Sequence, residues 1–208
     1  MLLPDRALYR PSAKMLVVAD PHFGKGQLFR ERGIPVPKGT TADDLHRLSC
    51  LIDRLRPDAL LFLGDLFHGR VDTPGPLVRR IDRWRGRHAA LRILLATGNH
   101  DRGTGGLAAA FRLDGTAEAH ADGPFSFTHQ PAPDPPGYNI AGHLHPAVVL
   151  KGKGRLRETL ACFRIGPRSA LLPAFGVFTG TQIIPPRRGD RIFVIAGDEV
   201  LAVPPVNK

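Results

Sequence analysis

The chain has 208 residues, 42% of them hydrophobic and 23% charged, which is the composition of a folded globular protein rather than a disordered one. Gly 23 and Pro 20, without a collagen-like period, imply short elements and many turns, not a bundle of long helices, and no apolar run nears the roughly 18 residues of a membrane helix. Twenty-nine Lys and Arg against 19 Asp and Glu leave a formal charge of +10, which draws a protein toward polyanions, nucleic acid first. That charge is mostly arginine, which a GC-rich genome also enriches. Only Cys50 and Cys162 are present, so no disulfide framework is expected, and Met1–Asp5 lacks the basic and apolar regions of a secretory signal. Both features predict a cytoplasmic protein.

Leu16–Ala19 reads as a buried strand ending at Asp20. A helix follows, opened by Thr41 and Asp44 at capping-box spacing, carrying Leu45, Leu48, Ile52 and Leu55 on one side and stopped by Pro57. Leu60–Leu63 is a second strand, ending at Gly64-Asp65. A second helix spans Gly75–Gly86, with Leu77, Ile81 and Trp84 on one side and Arg79, Arg80, Arg83 and Arg87 as a solvated face. Leu91–Ala96 is a third strand, ending at Gly98-Asn99-His100-Asp101. The alternation predicts a parallel sheet with helical crossovers.

The second half reads as consecutive antiparallel strands at Phe125–Thr128, Tyr138–Ala141, Leu156–Ile165, Ala170–Pro173, Arg191–Ala196 and Val200–Val203. Pro131, Pro133, Pro135 and Pro136 stiffen one loop, and Gly152 and Gly154 mark a hairpin tip. No repeat or linker divides the chain, so residues 1–208 are expected to pack as a single domain.

Five polar clusters follow five of these strands: Asp20-Pro21-His22, Gly64-Asp65-Leu66-Phe67-His68, Gly98-Asn99-His100-Asp101, His129, and Gly142-His143-Leu144-His145. In crossover sheets, functional groups gather at the carboxyl ends of strands. Residues two apart in an extended segment point the same way, so Asp20 with His22, and His143 with His145, each aim two ligands together. Gly64, Gly98 and Gly142 let the backbone turn beside them. Carboxylates, an amide and imidazoles without thiolate favour Mn, Fe, Co or Zn. Asp20, His22 and His145 are assigned to one ion, and Asn99, His129 and His143 to another, with Asp65 bridging. Two such ions clamp a phosphoryl group for in-line displacement by activated water. His100 is placed to protonate the leaving oxygen or to stabilise charge on the phosphorane, and Asp101 to orient His100 or cap the next helix. His46, His88 and His120 are read as solvated, and Phe23 and Phe67 as core rather than base-stacking residues.

These clusters, as a set, resemble the motifs of the calcineurin-like metallophosphoesterases. The resemblance covers about residues 15–146. It implies an α/β sandwich of two mixed sheets flanked by helices, with a dinuclear centre on the loops at one edge. Ala19–Lys25, Arg32–Pro37, Gly64–His68, Leu172–Gly180 and Ala196–Val200 are similar to the bacterial ligase-associated DNA-damage-response endonucleases. That closer likeness implies a manganese-favouring phosphodiesterase acting on DNA, beside a large helicase, an exonuclease-like protein and a DNA ligase. Lys25, His68, Lys151, Lys153 and Arg155 then become candidates for substrate contact. The alternatives are a phosphoesterase for a nucleotide or pyrophosphate on the same scaffold, and an inactive interaction module.

Overall fold

The computed structural model of the chain describes residues 1–36, 39–68, 75–101, 106–152 and 154–204; Pro37 and Lys153, singled out above, lie outside them. The first strands are Leu2–Leu3 (β1), Ala7–Arg10 (β2), Met15–Ala19 (β3), Ala59–Leu63 (β4), Arg92–Ala96 (β5) and Gly115–Ala117 (β6). Between them run the helices Lys25–Glu31 (α1), Thr40–Leu55 (α2), Pro76–Arg87 (α3) and Gly106–Phe111 (α4). Ala119–Asp122 (β7), Phe125–Thr128 (β8), Tyr138–Ala141 (β9), Pro146–Lys151 (β10), Arg157–Ile165 (β11), Ser169–Leu171 (β12), Gln182–Ile183 (β13), Arg191–Ala196 (β14) and Glu199–Val203 (β15) follow.

Two mixed sheets result. In the first, ordered β1 to β6, β3 to β6 are parallel and β1–β2–β3 antiparallel. Both faces of its centre are buried, which explains why its strands read as unbroken apolar runs. Leu16, Val18, Leu60, Phe62, Ile93 and Leu95 pack against Leu48 and Leu51 of α2, Ile81 and Trp84 of α3, and Phe111 of α4. Val17, Leu61, Leu63 and Ala96 face the other way, onto Phe127, Ile140 and Phe163 of the second sheet. Each fully buried Leu or Phe contributes about 2–3 kcal/mol of transfer free energy.

The second sheet runs β13-β10-β11-β12-β9-β8-β7, with β14 and β15 continuing from β11. The expectation of consecutive antiparallel strands holds for β7–β8, β10–β11, β11–β12 and β14–β15 but not throughout. β8 pairs β9, β9 pairs β12 and β10 pairs β13 in parallel. The proline-rich loop after His129 carries the chain back to start β9 alongside β8. Alternation in sequence reports which face a strand buries, not the direction of its neighbour. The hairpin tip is where it was expected, with Lys151 opposite Arg157 and Gly152 N–H donating to Leu156 O at 3.0 Å.

Register fixes the functional edge. Ala19 pairs Leu63, and Leu63 pairs Ala96. The chains leaving β3, β4 and β5 therefore emerge side by side. In the second sheet Thr128 pairs Ala141, so the chains leaving β8 and β9 also emerge together.

The capping box at the start of α2 is not formed. The helix starts at Thr40 behind a left-handed Gly39, and Thr41 Oγ1 accepts from Gly24 N–H at 3.1 Å. Asp44 is buried beside Arg47, at 3.1 Å, and accepts from Val177 N–H at 3.2 Å. Burial pushes the Asp44 carboxyl up to about 6, against the pull of Arg47. His88 is not solvated. It is 7% exposed, its Nε2 2.8 Å from Ser49 Oγ, which accepts from Trp84 Nε1–H at 2.9 Å. His120 is half-buried with Nε2 3.0 Å from Leu95 O, whereas His46 is exposed. Phe23 and Phe67 are fully buried, as expected.

Candidate metal centre

The five loops bring Asp20, His22 and His145 into one group and Asp65, His129 and His143 into another, each offering ligand atoms within 4.8 Å of one another. Asp65 faces both. Its Oδ2 lies 3.8 Å from His22 Nε2, and its Oδ1 3.5 Å from His129 Nε2. Asp65 therefore stands between the two groups.

The pairs do not converge by strand alternation. Asp20, His22, Asp65, His143 and His145 all have φ between 45° and 67°, so each sits in a left-handed turn rather than an extended segment. Such backbone costs about 1–3 kcal/mol per residue, somewhat less for Asp and His, and persists where surrounding structure over-determines it. Gly64 turns with φ 70°, and a Cβ there would collide with His129 at its Nδ1. Gly98 and Gly142 need no special φ; a side chain at either would collide with Asp65 or Asp20.

The surrounding groups aim the ligands. Asp20 Oδ2 accepts from His143 N–H at 2.8 Å, and Asp65 Oδ1 accepts from His100 N–H at 2.9 Å. His129 Nδ1 lies 3.0 Å from Leu63 O, and His145 Nδ1 3.0 Å from Gly180 O. A carbonyl only accepts, so each Nδ1 carries the proton and each Nε2 presents a lone pair inward. Burial, then Lys25 and the neighbouring imidazoles, push His22 down to about 2. It stays a neutral ligand at any working pH.

This donor set fits divalent cations. Asp20 Oδ1 is buried and has no hydrogen-bond partner among the described residues. No lysine or arginine among them is ion-paired with Asp20 or Asp65. Burial opposes protonation of His145, yet the Asp20 carboxylate and the Gly180 carbonyl outweigh it and raise its pKa. A cation between His145 and Asp20 would meet the same pull from that carboxylate.

The remaining candidates divide. His100 is half-exposed, with Nε2 4.0 Å from Asp65 Oδ2 and its ring 4.9 Å from that of His68. His68 Nδ1 lies 3.4 Å from His22 Nδ1, so His68 lines the centre; burial, then His100 and Lys25, push it to about 4. Lys25 opens α1 at the same edge, close enough for its charge to act on His22 and Asp65. Asn99 lies beside the second group, lining an open pocket with His129. It is exposed, and its Oδ1 accepts from Gln130 Nε2 at 3.1 Å. Gln130 was not picked out from the sequence, since a lone glutamine after a strand carries no signal.

Among the described residues, Asp101 accepts from three backbone N–H groups. Its Oδ1 accepts from Leu66 N–H at 2.8 Å and Phe67 N–H at 3.3 Å, and its Oδ2 from Gly98 N–H at 2.8 Å. It ties the loop after β5 to the loop after β4, and so positions Asp65. Lys151 and Arg155 are exposed at the far end of the β10–β11 hairpin. Five residue steps along β10 put Lys151 about 17 Å from Pro146, the neighbour of His145.

The calcineurin-like phosphoesterase model matches residues 13–157. The chain belongs to this family. A solved structure titled as Pseudomonas putida nuclease MPE is similar at 36% identity, covering 97% of this chain and 93% of that one, with a TM-score of 0.81. Yfce, a phosphoesterase from E. coli, aligns at 14% identity over 88% of both chains, with a TM-score of 0.45. No curated protein sequence matches the chain. As a calcineurin-like phosphoesterase, the protein is a metal-dependent hydrolase of phosphoesters, and the two trios are groups that could hold divalent metal. Among the described residues, no helix is long and apolar enough to cross a membrane.

Proposed function

We propose that this phosphoesterase is a dinuclear, manganese-favouring phosphodiesterase that cuts DNA as an endonuclease. The observation that carries the reading is the Asp65 carboxylate, which turns one oxygen to each trio. Two divalent cations held there would supply Lewis acidity at the phosphoryl group and lower the pKa of water between them. Asp20, His22 and His145 would hold one; His129, His143 and Asn99, released from Gln130, the other. The imidazole and carboxylate donors, without thiolate, suit manganese, with Fe, Zn or Co as alternatives.

His100 stands at the exposed rim beside Asp65, and there it gives a proton to the departing oxygen. Its backbone N–H already fixes Asp65, so one residue aligns the bridge and serves the leaving group. Lys25 meets the charge of a phosphate flanking the scissile one. Asp101 holds the two loops in register. The net charge of +10 and the 36% identity to a bacterial nuclease favour DNA over a nucleotide or pyrophosphate. A place in DNA repair, beside a helicase, an exonuclease-like protein and a ligase, follows from the subgroup resemblance.

The test is a cleavage panel of plasmid, single strand and bis-p-nitrophenyl phosphate with the metal stripped and then restored as Mn²⁺. Wild type should cut all three. His100→Ala should lose about 10²–10⁴-fold in kcat while binding the same number of ions. A metal-loaded wild type that cuts the small diester but no DNA leaves the small-molecule phosphoesterase; one that binds no metal leaves the inactive module.

A further inference from the structure

The segment Leu172–Gly180 carries part of the subgroup resemblance, yet none of its side chains has a role in the chemistry above. Its backbone is bound to the first trio. Phe175 N–H donates to Ala19 O at 2.7 Å, Gly176 N–H to Asp20 O at 3.4 Å, and Gly180 O receives His145 Nδ1–H. Thr179 Oγ1–H closes the turn onto Gly176 O at 2.7 Å. Phe175 is buried in the core, with Arg47 4.1 Å over its ring. With these anchors in place the turn presents its next two apolar residues to solvent. Val177 is 48% exposed, and Phe178 is only half-buried.

Phe178 does not stand alone. Its ring meets the edge of Phe29 at 5.7 Å and 84°. Phe29 in turn meets His68 at 6.1 Å, and Lys25 Nζ lies 5.8 Å over its ring. Lys25, Phe29, Val177, Phe178, Thr179 and Gly180 line an open groove of about 250 Å³. The groove touches the centre twice, through Gly180 to His145 and through Phe29 to His68. Phe23 and Phe67 are buried, so among the phenylalanines of the Asp20 and Asp65 loops neither offers a face to a substrate. Phe29 and Phe178 do, one turn further out.

We propose that this groove holds the nucleobase next to the scissile phosphate, its face on Phe178 and Phe29, with Lys25 on the phosphate that joins it to the centre. Every base has a π-face, so the contact tolerates any sequence. A cation beside two aromatic rings, at the edge of a metal centre, matches the flat π-face of a base on an anionic backbone better than it matches a lipid tail or a peptide. The inference rests on the DNA reading and names where that DNA lies.

Two measurements separate it from that reading. Fluorescence anisotropy with Ca²⁺ compares binding of a thymidine decamer with that of an abasic decamer of equal charge, while cleavage of the thymidine decamer in Mn²⁺ is scored on a gel. Wild type should prefer the decamer with bases about tenfold. Phe178→Ala and Phe29→Ala should each bring that ratio toward one, and Phe178→Tyr should keep it. Equal binding of both decamers by wild type, or a ratio unmoved by both alanine variants, overturns the groove even if DNA is cut. A base preference without any cleavage leaves the groove standing and removes the nuclease.

Discussion

Asp20 concentrates the conflict between stability and function. Its carboxyl is 0% exposed, one oxygen accepts from His143 N–H, and the other has no hydrogen-bond partner among the described residues. A buried carboxylate without its counter-charge is costly. In Asp20→Asn the amide oxygen keeps the His143 bond, and the NH₂ group faces the Nε2 lone pair of His145, 3.7 Å from the present Oδ1. The metal-free variant should be more stable than wild type by about 1–2 kcal/mol, which raises Tm by about 2–8 °C. Mn²⁺ should raise the Tm of wild type and leave that of Asp20→Asn nearly still, since ligand binding stabilises only the state that binds. Thermal unfolding with and without Mn²⁺ checks both halves. A lower Tm for the metal-free variant contradicts the account of Asp20 as an uncompensated charge. The identity of this residue was legible in the sequence because Asp-x-His closes a strand. Its left-handed backbone was not, because the register of three loops imposes that turn and no local residue encodes it.

The elements were legible wherever one period ruled the segment. Phe125–Thr128, Tyr138–Ala141 and Arg191–Ala196 fall where the alternation places them, and α2 and α3 differ from expectation by one residue or so at each end. Strand direction in the second sheet was hidden, as were short elements such as α1, because seven residues starting at Lys25 are too few to show a period. The seam between α2 and α3 hides a further polar pair. His88 looked like a solvated residue at a helix end, yet it closes a buried chain from Trp84 through Ser49. Ser49 Oγ accepts from the indole and keeps its own proton free to donate, which suits a neutral His88 with an unprotonated Nε2. Burial, and then Arg87, hold the His88 pKa below its ordinary value. Unfolded, His88 titrates near 6.5. As pH falls below about 6.5 the unfolded chain takes up a proton that the folded chain refuses, so stability falls, by at most about 1.4 kcal/mol per pH unit for this group. His22 and His68 are depressed too and add losses of the same sign. The contribution of His88 is therefore read as a difference. His88→Gln keeps an acceptor for Ser49 but cannot take a proton. Its urea midpoint should fall less than that of wild type between pH 7.5 and 5.5, and equal falls would mean that His88 is protonated in the folded state.

At the scale of the whole molecule, the charge of +10 must act through particular places. On the proposed reading, the metal trios bind one phosphate and Lys25 serves its neighbour. The exposed hairpin tip carries Lys151 and Arg155 about 17 Å along β10 from the centre. At about 3.4 Å of rise per nucleotide, that distance spans about five nucleotides of a stacked strand. A substrate long enough to reach the tip would meet two more cations; a short one would not. Each phosphate contact adds about 0.7 to the slope of log K against log salt on a single strand, and about 0.9 on duplex. Replacing both residues (Lys151→Ala with Arg155→Ala) should therefore lower that slope by about 1.4–1.8 on a 20-mer, and the effect should shrink as the oligonucleotide shortens to three nucleotides. Affinity measured from about 50 to 200 mM NaCl gives the slopes. An unchanged slope on the 20-mer would make the tip a solvated turn and confine DNA to the edge where the five loops meet.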